Sequence, residues 1–366
     1  MIRRASPRLR ALVLAFTALA AAPAQAGDDA VTVADGRQLL KGCRPWTPRG
    51  LSVFGRLVPR GWQTDKGTMA ARDGFSRWVV DAVRAFGGDT LRLQVGLPFL
   101  DPRSPAYSPA YLDDVREAVA MARAAGLVVV LSMQWEGRTA VKPVEMLPKD
   151  SALRAWQRVG PVFALDGGVL YELFNEPASP PQPGPGFWRA WQDGHQAIID
   201  MLRAAGARNT LVVDGLNGAR LLQGAPELKD PLGRLAFGTH PYAGPDLASP
   251  AQWDEHFGRF AQTHAVIVTE WSHLPRDCGV ADGATVERFV DYLATHRIGL
   301  VAYGIDEGGG GRLARREGAT VVPKTFDGAC QAFATGPGDA VRRLFARTAE
   351  ADARAPAPAA GACATP

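Results

Sequence analysis

The chain has 366 residues, 46% of them hydrophobic and 21% charged, with a formal net charge of +4. That supplies ample apolar material for a sizeable core. The basic excess is confined to the first ten residues, so nothing in the charge balance points to nucleic acid or an anionic membrane as partner.

Arg3, Arg4, Arg8 and Arg10 precede the apolar run 11–22, and Ala24-Gln25-Ala26 gives an A-x-A cleavage site. Residues 1–26 are therefore expected to be a signal peptide cut after Ala26, leaving a secreted or periplasmic protein. The run is too short for a bilayer span, and no later stretch reaches the roughly 20 apolar residues a span requires, so no integral membrane contact is expected. Cleavage would remove four of the 41 basic residues and none of the 37 acids, bringing both to 37 and favouring a neutral substrate.

Beyond the leader, eight short apolar runs rich in β-branched residues recur: 50–55, 90–96, 127–134, 169–174, 210–216, 235–240, 265–271 and 299–306. Their starts lie 25 to 42 residues apart, the length of a strand, a helix and two loops. Residues 111–125 read as a helix ending at Gly126, and 187–205 as one placing Trp188, Trp191, Ile198 and Leu202 near one face. Strands alternating with helices imply a parallel sheet, and eight units without a break imply a (β/α)8 TIM barrel in one domain, 27–346. An open doubly wound sheet is the runner-up, but no G-x-G-x-x-G supports it. The Ala/Pro-rich stretch 347–366 reads as a disordered tail. Cys43, Cys278, Cys330 and Cys363 fit no zinc spacing, and export allows disulfides; Cys278 with Cys330 is the expected pair.

In such a barrel the chemistry sits at the C-terminal ends of the strands. The fourth run ends Tyr171-Glu-Leu-Phe-Asn175-Glu176-Pro177, and the seventh ends Thr269-Glu270-Trp271. Each delivers a carboxylate where a buried run meets loop sequence. Two such groups are what glycosidic cleavage needs: one protonates the leaving oxygen, the other attacks the anomeric carbon or activates water.

These segments, with Thr239-His240-Pro241-Tyr242, resemble glycoside hydrolase family 5, the cellulase-like barrels, over 50–306. The resemblance implies that Glu176 is the acid/base, Glu270 the nucleophile of a retaining double displacement, and Asn175 a ligand of the sugar 2-hydroxyl. It further implies that Arg92 keeps Glu270 charged and that His240 and Tyr242 belong to the site, while a less polar setting would keep Glu176 protonated. No cofactor is implied, and the enzyme is expected to act on its carbohydrate substrate as a monomer. Two positions depart from the family: Gln134 stands where a histidine is usual, and Tyr303-Gly-Ile305 where a tryptophan floors the cleavage subsite. Both bear on substrate identity more than on chemistry.

Tyr303, Trp135, Trp271 and Trp62 are candidate sugar platforms, because aromatic rings stack on the apolar faces of sugars. Trp188, Trp191 and Trp253 lie in helical sequence and read as core; His264 and His296, before strands, read as structural, and His273 has a lesser claim on the cleft. Glu172 is expected to be either a buried partner for an arginine or a group that orients the site, with the structural role favoured. The expected activity is cleavage of β-linked neutral glycans such as β-glucan or mannan. The alternatives are an inactive carbohydrate-binding barrel, which would have no use for two matched carboxyls, and an exo-acting enzyme on a bacterial exopolysaccharide. A metal-dependent hydrolase would need an H-x-H and further ligands that these strand ends do not offer.

Overall fold

A computed structural model describes residues 29–53, 57–60, 77–135, 144–273, 283–305, 313–318, 320–323 and 338–358. Three short strands, β1 (Val31–Ala34), β2 (Gln38–Lys41) and β3 (Arg44–Pro45), form an antiparallel sheet. Eight more follow: β4 (Arg49–Val53), β5 (Thr90–Gly96), β6 (Val128–Gln134), β7 (Val169–Glu172), β8 (Leu211–Asp214), β9 (Leu235–Thr239), β10 (Val266–Trp271) and β11 (Gly299–Ile305). Each pairs in parallel with the next and β11 returns to β4, closing a (β/α)8 barrel. Every strand begins and ends within two residues of its expected bounds. The reason is physical: strands buried on both faces are written as continuous apolar runs, and those runs stop where the pairing stops.

Long helices cover the outside: α1 (Arg77–Ala85), α2 (Tyr111–Ala124), α3 (Asp150–Phe163), α4 (Pro185–Ala204), α5 (Gly283–His296) and α6 (Gly338–Arg354). α2 stops at Gly126, whose φ of +77° suits a residue without a Cβ. No described helix is long and apolar enough to cross a membrane.

The barrel has two separate apolar clusters. The larger lies between strands and helices. The smaller fills the lower interior with Val128, Val130, Leu170, Val212, Ala236, Ile267 and Val301, and is closed from below by Val31, Leu39 and Trp46. The β1–β3 sheet is thus a plug, which the sequence reading did not anticipate. Its backbone is tied in by Val31 N–H to Gly167 O at 2.9 Å, by Thr210 Oγ1–H to Val31 O at 2.8 Å and by Ala265 N–H to Gly36 O at 2.9 Å.

The boundary expected at 346 is corrected, because α6 continues to Arg354. Alanine is the best helix former, and Val341, Leu344, Phe345, Thr348 and Asp352 recur at helical spacing on its buried side. Asp352 accepts from Thr47 N–H at 2.8 Å, Thr47 Oγ1–H at 2.9 Å, Arg49 at 2.8 Å and Arg297 at 2.8 Å, clamping the helix under the barrel. Cys43, between β2 and β3, is not a free thiol. The leader, Trp62, Asp306, the expected Cys278–Cys330 pair and Cys363 all lie outside the described residues.

Asp352→Ala strands the donors of Thr47, Arg49 and Arg297, and should cost about 2 to 3 kcal/mol of stability while leaving catalysis by folded enzyme intact. Urea denaturation reads the first and kcat/KM the second; an unchanged midpoint would refute the clamp.

Candidate active site

The upper interior of the barrel is polar and is organised by Arg92. On β5, Thr90, Arg92 and Gln94 alternate with Leu91, Leu93 and Val95, so the two-residue period turns the polar set inward. Fully buried, Arg92 bonds Glu172 through Nε at 2.7 Å and Nη2 at 2.6 Å, Glu270 through Nη1 at 2.7 Å, and Ser132 and Asn175 through Nη2 at 3.0 and 2.6 Å. The planar fork of guanidinium donors suits it to hold several acceptors in one plane. Burial opposes its charge, but Glu172 and Glu270 raise its pKa well above the ordinary value, so the cation is permanent.

Glu176 lies four residues beyond the end of β7. The chain turns there, so that Phe174 packs into the outer core and Asn175 donates its N–H to Met133 O at 2.9 Å. Glu176 itself has a φ of +53°, in the left-handed region that a residue with a Cβ rarely occupies. Its N–H donates to Asp214 Oδ2 at 3.2 Å, and its Oε1 lies 3.0 Å from His240 Nδ1. The Glu176 side chain is 43% exposed and that of Glu270 12%, so one carboxyl faces the opening and the other is enclosed.

Strand periodicity alone would point Glu270 the wrong way. On β10, Ile267 faces the interior cluster while Val266 and Val268 face the helices. Val268 pairs with Leu300 and Trp271 with Ala302, so β10 spends three residues where β11 spends two. This β-bulge lets Thr269 and Glu270 both point inward. Thr269 Oγ1 then lies 3.1 Å from His240 Nε2, and Glu270 meets Arg92 through Oε2 and the Tyr242 hydroxyl, which donates to Oε1 at 2.9 Å. Gln94 adds a long contact to Oε2 at 3.4 Å. The ligating atoms of Glu176, His240 and Glu270 all lie within 4.8 Å of one another.

Three further groups are tuned by this enclosure. Burial opposes ionisation of Glu172, yet the charge and hydrogen bonds of Arg92 hold its pKa below the usual carboxylate range. Asp214, on β8, is pushed well above that range by burial and by the charge of Glu172. Burial disfavours the charged form of His240, but Glu270, Asp214 and Glu176 raise it to about 9. The His240–Glu176 pair therefore holds a transferable proton at neutral pH, as an acid catalyst requires. By spacing alone, Glu172, Asp214 and His240 could also ligate a metal, but Arg92 already supplies the positive charge there.

Of the remaining expected residues, Gln134 is buried at the end of β6 on the interior face it shares with Ser132. Trp135 follows at the rim, half-buried against the outer core. Tyr303 is half-buried on β11, on the face of Val301 and paired with Ser52. Trp271 is a correction: only 4% exposed, it packs against Phe289 of α5 at 4.8 Å, because the bulge that turns Glu270 in returns Trp271 to the helix side. His273 is buried beside it, lining a small cavity with Trp253, Val286 and Phe289. Trp191 and Trp253 are fully buried core, and Trp188 packs edge-on against Trp191 at 5.6 Å. His264 stacks on Phe260 and His296 on Tyr292, away from the site. Sequence reasoning missed Gln94, Ser132, Thr269 and Asp214. Only Asp214 carried a usable signal, an acid at the end of an apolar run.

A closed parallel barrel whose strand ends present two carboxyls at this spacing defines the class of barrel glycosidases that work by paired carboxylates. A family model described as cellulase (glycosyl hydrolase family 5) matches residues 58–309, and the chain belongs to that family. A relative from Bacteroides ovatus, named xyloglucan-specific endo-beta-1,4-glucanase BoGH5A, is 30% identical over 139 residues, which is 35% of this chain and 28% of that protein. Among solved structures, the catalytic domain of Thermobifida fusca endoglucanase Cel5A superposes with a TM-score of 0.61 at 16% identity, covering 88% of this chain and 98% of the other. The catalytic domain of the major endoglucanase from Xanthomonas campestris pv. campestris gives 0.60 at 18% identity, covering 87% and 99%.

Two substitutions test these placements. Trp271→Ala should cost about 3 to 5 kcal/mol in denaturant unfolding with near-normal kinetics in the folded fraction, whereas a sugar platform would lose binding first. In Arg92→Lys a single ammonium replaces the fork, and kcat/KM should fall by roughly 100-fold or more; retention of normal activity would remove Arg92 from the centre of the site.

Proposed function

We propose that this protein is an exported, retaining endo-β-glucanase that hydrolyses a neutral β-1,4-linked glucan, with xyloglucan the first substrate to test. The observation that carries the chemistry is the approach of Glu176, His240 and Glu270 within 4.8 Å, with Arg92 and Tyr242 on one carboxyl and His240 on the other. Carboxyls roughly 5 Å apart leave no room for a water on the far face of the sugar, which favours double displacement over inversion. Glu270 attacks the anomeric carbon while Glu176 gives its proton to the departing glycosidic oxygen. The covalent ester that results is opened by water, whose proton returns to Glu176.

The substrate reading rests on the names of the relatives, an endo-β-1,4-glucanase specific for xyloglucan and two endoglucanases. The expected signal peptide supports export, and an oxidising compartment would suit disulfides at the four cysteines. Gln134 and Tyr303 are placed to alter which glucan is preferred, since both stand on the interior face at the mouth.

Proton NMR of the products should show the β-anomer first, and xyloglucan or β-glucan solutions should lose viscosity faster than they gain reducing ends. Glu270→Ala should lose several orders of magnitude in rate. Glu176→Ala should still release an activated phenol and be rescued by azide as a β-glycosyl azide. First appearance of the inverted anomer would overturn the mechanism; activity on mannan alone would overturn the substrate.

A further inference from the structure

Asp214 touches both halves of the site yet has no part in the reaction as described. Its carboxyl is fully buried at the end of β8. Oδ2 accepts the N–H of Glu176 at 3.2 Å and lies 3.7 Å from His240 Nε2. Among the described residues no donor faces Oδ1. The neighbouring carboxylate of Glu172 is itself an acceptor, and ligating atoms of Glu172, Asp214 and His240 lie within 4.8 Å of one another. The position is built for a carboxyl. On β9, Gly238 leaves the space, since a Cβ there would fall 2.0 Å from Asp214 Oδ1, and Trp191 of α4 donates to the Asp214 carbonyl at 2.8 Å.

A buried carboxyl with one oxygen lacking a donor, lying beside another carboxylate, is repelled unless one of the two carries a proton. Arg92 makes two bonds to Glu172, so Glu172 is the better anion of the pair. We propose that Asp214 is a positioning residue: it bears the proton, donates it as a hydrogen bond to Glu172, and with its other oxygen holds the left-handed backbone of Glu176. Burial and the Glu172 charge drive its carboxyl in that direction. The charged and titratable groups facing it are Glu172 from β7, Arg92 from β5, His240 after β9 and Glu176, with Glu270 from β10 acting on His240 and Arg92. With Asp214 neutral, Glu270 and Glu176 are the charges that favour a protonated His240. A left-handed residue with a Cβ is costly to hold, so the acceptor of its N–H fixes where the acid/base carboxyl stands. The result is a continuous chain from one carboxyl to the other: Glu270, Arg92, Glu172, Asp214, His240 and Glu176. The inference rests on Glu176 being the acid/base.

The test compares Asp214→Asn with Asp214→Ala in the full-length protein. Asparagine copies a neutral carboxyl, giving Glu172 an N–H and keeping an oxygen for Glu176. It should retain kcat/KM within about tenfold of the parent, while alanine should lose about 100-fold or more on glycosides with poor leaving groups. On dinitrophenyl glycosides, which depart without protonation, the alanine variant should lose less than about tenfold in the first step. A merely structural role would depress both substrates equally. The infrared difference spectrum of parent minus Asp214→Asn at pH 7 should carry the carbonyl stretch of a protonated carboxylic acid. Absence of that band, damage by asparagine equal to that by alanine, or equal losses on both leaving groups would each overturn the proposal. The infrared band reads the proton on Asp214 whatever Glu176 does, and azide rescue of Glu176→Ala reads Glu176 whatever Asp214 does. Failure of one reading is therefore distinguishable from failure of the other, and the asparagine variant keeps the test alive if the alanine variant does not fold.

Discussion

One guanidinium inside a closed barrel constrains everything above the apolar floor. An isolated buried cation is too costly to persist, so Arg92 must be surrounded by acceptors, and in a barrel those can come only from inward positions of other strands. Glu172 from β7, Ser132 from β6, Glu270 from β10 and Asn175 from the loop after β7 meet that demand. Because a one-residue slip would turn each of these outward, satisfying Arg92 fixes the register of three strands at the height where chemistry is done. Pre-organisation here is a by-product of electroneutrality: the groups that keep the cation buried are also the ones that must stand still during catalysis.

The two reacting carboxyls are held in opposite ways. Glu270 is gripped by Arg92 and Tyr242, with Gln94 nearby, and is enclosed, as suits a nucleophile that must return to one trajectory. Glu176 is half in the opening and is fixed by its backbone and by His240, which leaves its carboxyl near both a leaving group and incoming water. Each arrangement breaks a local rule, a β-bulge in one and a left-handed residue in the other. Departures of this sort gather where function outweighs regularity.

Much of this was readable in the sequence because it depends on burial. Strands apolar on both faces announce themselves, and a Glu where such a run meets loop sequence is conspicuous, so the barrel and the pairing of Glu176 with Glu270 were legible, while Arg92 and His240 were named through the family resemblance. What was not legible depends on register or on partners distant in the chain. The bulge adds a residue without changing composition, so Trp271 was read as lining the cleft when it packs on Phe289. The plug strands are too short and too mixed to stand out from loop, and their meaning comes only from Val31, Leu39 and Trp46 meeting the barrel floor. The alanine-rich end looked like a tail because alanine serves equally in helix and in low-complexity sequence; Asp352 decides the matter through partners about 300 residues away.

That last separation bears on how the protein is made. The plug precedes the barrel in the chain, yet its hydrogen-bond partners Gly167, Thr210 and Ala265 lie far downstream, and the helix that clamps Thr47 and Arg49 follows all eight barrel strands. Segments about 300 residues apart that meet under the barrel give the fold a high contact order, and loop closure over such distances slows the final step. During folding the lower interior, with Val130, Leu170, Val212 and Ile267, stays open until the plug packs beneath it. A barrel whose plug has not yet docked therefore exposes an apolar mouth, and aggregation of such a folding intermediate should be most pronounced before Val31, Leu39 and Trp46 close it.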